Sequence, residues 1–274
     1  MTVEMGALPA TPLLLGARPT DESMSTELSQ YYAGTTQYHA FGRRLITNDG
    51  KVFRHSLSSG LCYTGRGNVF SRAIDDATGA GGIDYAVLAA DAPAGSNFVK
   101  MTNTGSSAIA KNALAGGQIL MKPTETYTDA HLMMRTVIAN SAAAATSGVC
   151  TIHLDAPTET ALTTSHYAFV MPSPYSDVSY DASSVGKSFA GLAATYISAT
   201  GYYFWVQTWG ACWVANQNAV GRTSLYRSVY WREDGSLDIH SSIGTNVTDQ
   251  RAGIILDNND SANGSTVIRL EMDI

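Results

Sequence analysis

The sequence predicts a mainly β chain: a β-sandwich or β-barrel with a long β-hairpin and an extended N-terminal arm. Three observations carry this. Short runs rich in Val, Ile, Tyr, Phe and Thr recur at roughly ten-residue spacing, with Gly, Pro, Asn and Asp between them. Stretches with a sustained helical period are few. One run, GYYFWVQTWG at 201–210, packs two Trp, two Tyr and one Phe into ten residues bounded by glycines. It is the expected central strand. Its Tyr202/Phe204/Val206/Thr208 face suits a core, and its Tyr203/Trp205/Trp209 face suits a second layer or a subunit interface. The run 211–215, with Trp213, is its continuation or its hairpin partner.

Taken in order, residues 1–30 carry Pro9, Pro12 and Pro19, which stop any long helix. A short capped helix fits only 20–30. Residues 1–43 therefore read as an extended arm, either disordered or ordered against another chain, and 44–274 as the β-rich domain. Residues 41–47 and 51–55 flank Asn48-Asp49-Gly50, a hairpin signal. The stretch 60–82 is rich in Gly and small polar residues. Strands are expected at 85–89, 97–101 and 118–122, the last closed by Pro123. Residues 131–139 and 149–154 form the arms of a long hairpin around the loop NSAAAATSG. A strand at 166–170 ends at Pro172, and 173–199 reads as loop. Further strands are expected at 224–231, 237–240, 252–256 and 266–274. In the last, Val267, Arg269, Glu271 and Asp273 alternate with Ile268, Leu270, Met272 and Ile274, a half-buried pattern.

Composition narrows the function classes. The 274 residues are 45% apolar and only 15% charged, below the roughly one quarter usual for soluble proteins. Such a surface suits one covered by neighbours. The net charge of −6 disfavours nucleic acid, which needs clustered Lys and Arg. The one basic cluster is Arg43, Arg44, Lys51 and Arg54. Cys62, Cys150 and Cys212 form no CxxC pair, so neither a disulfide framework nor a zinc site is expected. No run approaches the ~20 apolar residues of a membrane span, and no signal peptide is legible.

The stretches 49–54 (DGKVFR), 114–120 (LAGGQIL), 151–157 (TIHLDAP) with 161–164 (ALTT), 172–175 (PSPY), GYYFWVQTWG and 253–256 (GIIL) resemble, in their order, the tailed-phage capsid decoration or head-stabilising (cement) proteins. The likeness spans about Arg44 to the end and departs at 58–78 and 215–250. It implies a virion protein on the capsid surface, made in a host cytoplasm, with the major capsid protein and further copies of itself, most plausibly three, as partners. It implies no catalytic residue. The candidate interface residues are Tyr31, Tyr32, Arg43, Arg44, Phe53, Tyr203, Trp205, Trp209 and Trp213.

Motifs that carry chemistry are otherwise few. His39, His55, His131, His153, His166 and His240 are scattered without HExxH or HxH spacing. Gly65-Arg66-Gly67-Asn68 lacks the Lys-Ser/Thr of a phosphate loop, and no GxSxG elbow occurs. Asp75-Asp76 and Glu233-Asp234 are paired acids, the second in a turn with Gly235. Asp257-Asn258-Asn259-Asp260 lacks EF-hand spacing. No cofactor or metal is expected, and the chain reads as a non-enzyme. Two other readings stand beside the capsid one: a head-fibre or tail-tube protein, and a carbohydrate-binding module that uses Tyr203, Trp205 and Trp209 to stack sugars.

Overall fold

The computed structural model describes residues 29–70, 83–105, 107–122, 132–182, 187–217, 219–220, 227–239, 247–257 and 264–272. Most of the expected arm, Asp75-Asp76, Pro123, His131, His240 and Asn258 to Asp260 lie outside the described residues. The described chain is almost wholly antiparallel β, with one 3-10 turn at Pro174–Ser176 and no α-helix among the described residues. The expectation of a mainly β sandwich or barrel is borne out. The chain divides into two compact units, one of 1–39, 43–71 and 178–274, the other of 40–42 and 72–177.

The first unit is built from eleven strands: β1 (Ala33–Gly34), β2 (Arg44–Ile46), β3 (Val52–Leu57), β4 (Gly67–Phe70), β11 (Val178–Ser179), β12 (Phe189–Ala193), β13 (Tyr203–Ala215), β14 (Ser228–Arg232), β15 (Leu237–Ile239), β16 (Val247–Asp257) and β17 (Ser265–Glu271). They form a half-barrel in the order β11-β4-β12-β13-β17-β16-β14-β15, with β1 and the β2–β3 hairpin added along β13. The hairpin turns where expected: the Thr47 N–H donates to the Lys51 carbonyl (3.0 Å), and Gly50 takes φ +79°, which a side chain disfavours. Residues 211–215 continue the aromatic strand, so β13 is one strand of 13 residues.

That length lets β13 serve two neighbours in turn. Tyr203 to Trp209 pair with β3, and Trp209 to Ala215 pair with β17. Along the first half both faces are covered, and Phe204, Trp205 and Val206 are fully buried. Along the second half only Cys212 and Val214 turn toward the core made with Ile268, Leu270, Trp231 and Phe189. Trp231 and Phe189 stack there at 5.1 Å. β17 keeps its predicted alternation, with Ile268 and Leu270 fully buried and Arg269 exposed.

The strand β12 falls inside a stretch read as loop. Its five residues are buried on both faces, so it shows no alternation, and Ala190, Gly191 and Ala193 lack β propensity. Packing between β4 and β13 decides its conformation.

The second unit holds β5 (Ile83–Val87), β6 (Phe98–Thr102), β7 (Gln118–Lys122), β8 (Met133–Asn140), β9 (Val149–Leu154) and β10 (Tyr167–Met171), in the order β5-β10-β7-β8-β9-β6. The two end strands meet through the Leu88–Met101 bridge and the Ala89 N–H bond to the Lys100 carbonyl (2.8 Å), giving a nearly closed barrel. The long hairpin expected around NSAAAATSG is β8–β9. Val99, Met101, Ile119, Met121, Val137, Ile152 and Val170 fill the interior. Asn140 ties the loop down: its Oδ1 accepts from the Leu114 N–H (2.8 Å) and its Nδ2 donates to the Ala110 carbonyl (2.9 Å). Where one β-rich region over 44–274 was expected, that region contributes to both units.

Candidate interaction surfaces

The nine candidate interface residues do not form one surface. Phe53 and Trp205 are interior: with Leu45 they make a small buried core, against which Tyr32 packs. This corrects their assignment to an interface. Leu45, Phe53, Tyr32 and Ala194 pack about Trp205, with the His39 ring 5.5 Å away, so the cover that this part of the aromatic face needs comes from the same chain; β1 and β3 themselves pair with β13 edge to edge. Tyr203 is half-buried and stacks on the His55 ring at 5.8 Å. His39, His55 and Trp205 form an aromatic triangle with ring centres 5.2–5.5 Å apart. Burial, reinforced by the Arg43 guanidinium, holds the His39 imidazole below its usual range. Arg43 is half-buried and its carbonyl accepts from the His55 N–H (2.9 Å), while Arg44 and Tyr31 are exposed.

Trp209 and Trp213 point outward from β13 and are 37% and 52% exposed. They share a face with Ala211, opposite Glu271, Arg269 and Val267 of β17. The Arg269 guanidinium lies 5.9 Å from the Trp209 ring centre. Glu271 accepts from Arg269 Nε (2.8 Å) and pairs with Arg251 (2.9 Å). Trp213 lies so close to Gly65 that a Cβ there would fall 2.2 Å from Cζ3 of the indole. The Gly65 carbonyl also accepts from the Ala215 N–H (2.8 Å). Gly65, two residues before β4, thus makes room for an aromatic ring.

A second surface was not nominated from the sequence. It lies on the side of β10, β7 and β8 turned away from the barrel interior. Cross-strand pairing puts Phe169, Leu120 and Met134 in one row, and Met171, Gln118 and Thr136 in the next. Met134, Met171 and Leu132 are exposed, and Phe169 and Leu120 half-buried. The signal was present in the sequence. Tyr167-Ala168-Phe169-Val170-Met171 is apolar at both phases of the period, the mark of a strand covered on both faces.

Burial pushes the Cys62 and Cys212 thiols up to about 12 and raises Cys150, so at neutral pH all three are protonated and poor nucleophiles. His166 is spent on a turn, its Nδ1 accepting from the Thr163 N–H (3.0 Å). No three His, Cys, Asp or Glu side chains gather for a metal among the described residues. A polar notch of about 200 Å³ is lined by Ala182, Gln217, Arg232, Glu233 and Asp234. Two of its charged residues are engaged: Asp234 accepts from Arg66 (3.0 Å), and Arg232 donates to the buried Asp238 (2.9 Å). Glu233 and Asp234 sit in the β14–β15 hairpin turn, as the sequence indicates. No helix among the described residues is long and apolar enough to cross a membrane.

No protein-family model matches the chain, and no curated protein or solved structure is significantly similar to it.

Proposed function

We propose that this chain is a structural virion protein that binds the outside of an assembled tailed-phage capsid and stabilises it across the seams between capsomers. The capsid enters through the resemblance of segments between Arg44 and the C-terminus to decoration proteins. The observation that carries adhesion is the apolar outer face of β10–β7–β8. Exposed Met and Leu side chains gathered with Phe169 and Leu120 on one sheet face leave water most favourably when another protein covers them. Met side chains also adapt to an irregular partner surface. The low charge content of the chain agrees.

The mechanism is mass action. A protein that binds the assembled lattice and not free subunits stabilises the lattice by its binding free energy. Self-association, with three copies at a symmetric site, adds avidity without new contacts.

The test is binding to undecorated capsids of its phage, read by co-sedimentation. Saturable, stoichiometric binding and a raised capsid melting temperature are expected. Met134→Asp puts a charge at the centre of the face and should weaken binding at least roughly tenfold, a loss of about 1.4 kcal/mol. Absence of binding by the unaltered chain, or full binding by a folded Met134→Asp variant, would remove the proposal's support.

A further inference from the structure

The Trp209–Trp213 face of the first unit is built differently from the apolar face of the second. Its rings are held by the chain's own structure. Trp213 rests close against Gly65, where no side chain fits, and is still 52% exposed. Trp209 lies beside the Arg269 guanidinium. Between them Ala211 leaves a shallow floor, and four residues of extended strand separate the two rings by about 13 Å. Across β17 runs a fixed polar array: Glu271 accepts from Arg269 and pairs with Arg251. Both arginines are nearly half exposed, and Glu271 is largely covered.

Protein-docking patches share Trp and Arg but are depleted of Glu and Asp at their centres. Here charged groups stand beside the aromatic rings, and two guanidiniums face one carboxylate. A flat indole offers its face to the C–H side of a sugar ring. Fixed Arg and Glu groups offer donors and acceptors to vicinal hydroxyls, and the excess positive charge complements a sugar carboxylate.

We propose that this face binds an acidic oligosaccharide, one bearing uronate or similar carboxylate groups. A sugar ring stacks on Trp213. The chain of sugars runs along the Ala211 trough toward Trp209 and Arg269. Arg269 and Arg251 bind the carboxylate, and Glu271 holds both guanidiniums in place. Of the three residues nominated from the sequence only Trp209 belongs to this site, since Trp205 is buried and Tyr203 stacks on His55. The site stands whether or not the chain binds a capsid.

The experiment is a glycan array carrying acidic bacterial-surface and uronate oligosaccharides beside neutral glucans, probed with the full chain. Hits are followed by tryptophan fluorescence titration. Binding to at least one acidic saccharide is expected, weakened at least tenfold by Trp213→Ala and by Arg269→Ala, and falling with added salt. Near-UV circular dichroism checks that each variant is folded. Met134→Ser, in the other unit, should leave saccharide binding unchanged, so the two proposals fail separately. No acidic ligand on the array, neutral glucans bound as tightly as acidic ones, or full binding by folded Trp213→Ala would each overturn the proposal.

Discussion

Truncating Trp205 tests whether the aromatic strand spends its rings inside the fold or on a partner. The side chain is fully buried against Leu45 and Phe53, with His39 and His55 beside it. An indole removes on the order of 200 Å² from water, worth about 5 kcal/mol at ~25 cal/mol per Å². Measured Trp→Ala costs in cores, about 3–5 kcal/mol, agree. One feature works against the ring: its Nε1 is buried with no hydrogen-bond partner among the described residues. Burying such a group costs about 1–3 kcal/mol. Trp205→Phe therefore loses area and also sheds an unmet donor, so its net cost should be under about 2 kcal/mol. Trp213, half exposed, should cost under about 2 kcal/mol as Ala. The assay is equilibrium urea unfolding followed by tryptophan fluorescence. All four tryptophans (205, 209, 213 and 231) lie in the first unit, so the signal follows that unit alone. A Trp205→Ala cost below about 1 kcal/mol, or a Trp205→Phe cost equal to it, would refute this reasoning.

Three further outcomes follow from the same structure. His39 is held below its usual pKa by burial and by Arg43, so the folded state favours the neutral ring. The stability it lends is complete above about pH 6.5 and is lost as pH falls below that value; the loss between pH 7 and 5 should be smaller in His39→Phe, and an unchanged loss would contradict it. Cys62, fully buried and pushed up to about 12, should react with a disulfide reagent at pH 8 only in denaturant, whereas fast labelling of Cys62 in the native chain would contradict its burial. Asn140→Ala removes both the acceptor for the Leu114 N–H and the donor to the Ala110 carbonyl in the second unit, and should cost about 2–3 kcal/mol by far-UV circular dichroism; a neutral result would show the loop is held otherwise.

Local chemistry made much of the fold legible. Asp49-Gly50 placed the β2–β3 turn, and strict alternation in 267–272 placed β17 with its faces assigned correctly. β12 was hidden because strand propensity is absent from Ala190, Gly191 and Ala193, and burial between two strands left no period to read. The site was less legible. Trp205 and Trp209 share one phase of the sequence alternation, yet one is enclosed and the other open. What separates them is the register shift between Gln207 and Trp209, at the point where β3 begins opposite Trp209, a non-local fact. The outer face of the barrel was visible only as a strand apolar at both phases, a pattern that a buried strand and an adhesive one share.

Oxidative footprinting of the capsid-bound chain tests the adhesion face most directly. Exposed Met134 and Met171 should oxidise readily to the sulfoxide in the free chain, while buried Met101, Met121 and Met133 resist and serve as internal references. On capsids, Met134 and Met171 should become as resistant as the buried three. Unchanged oxidation at both, in chains that sediment with the capsid, would place the contact elsewhere and contradict the account.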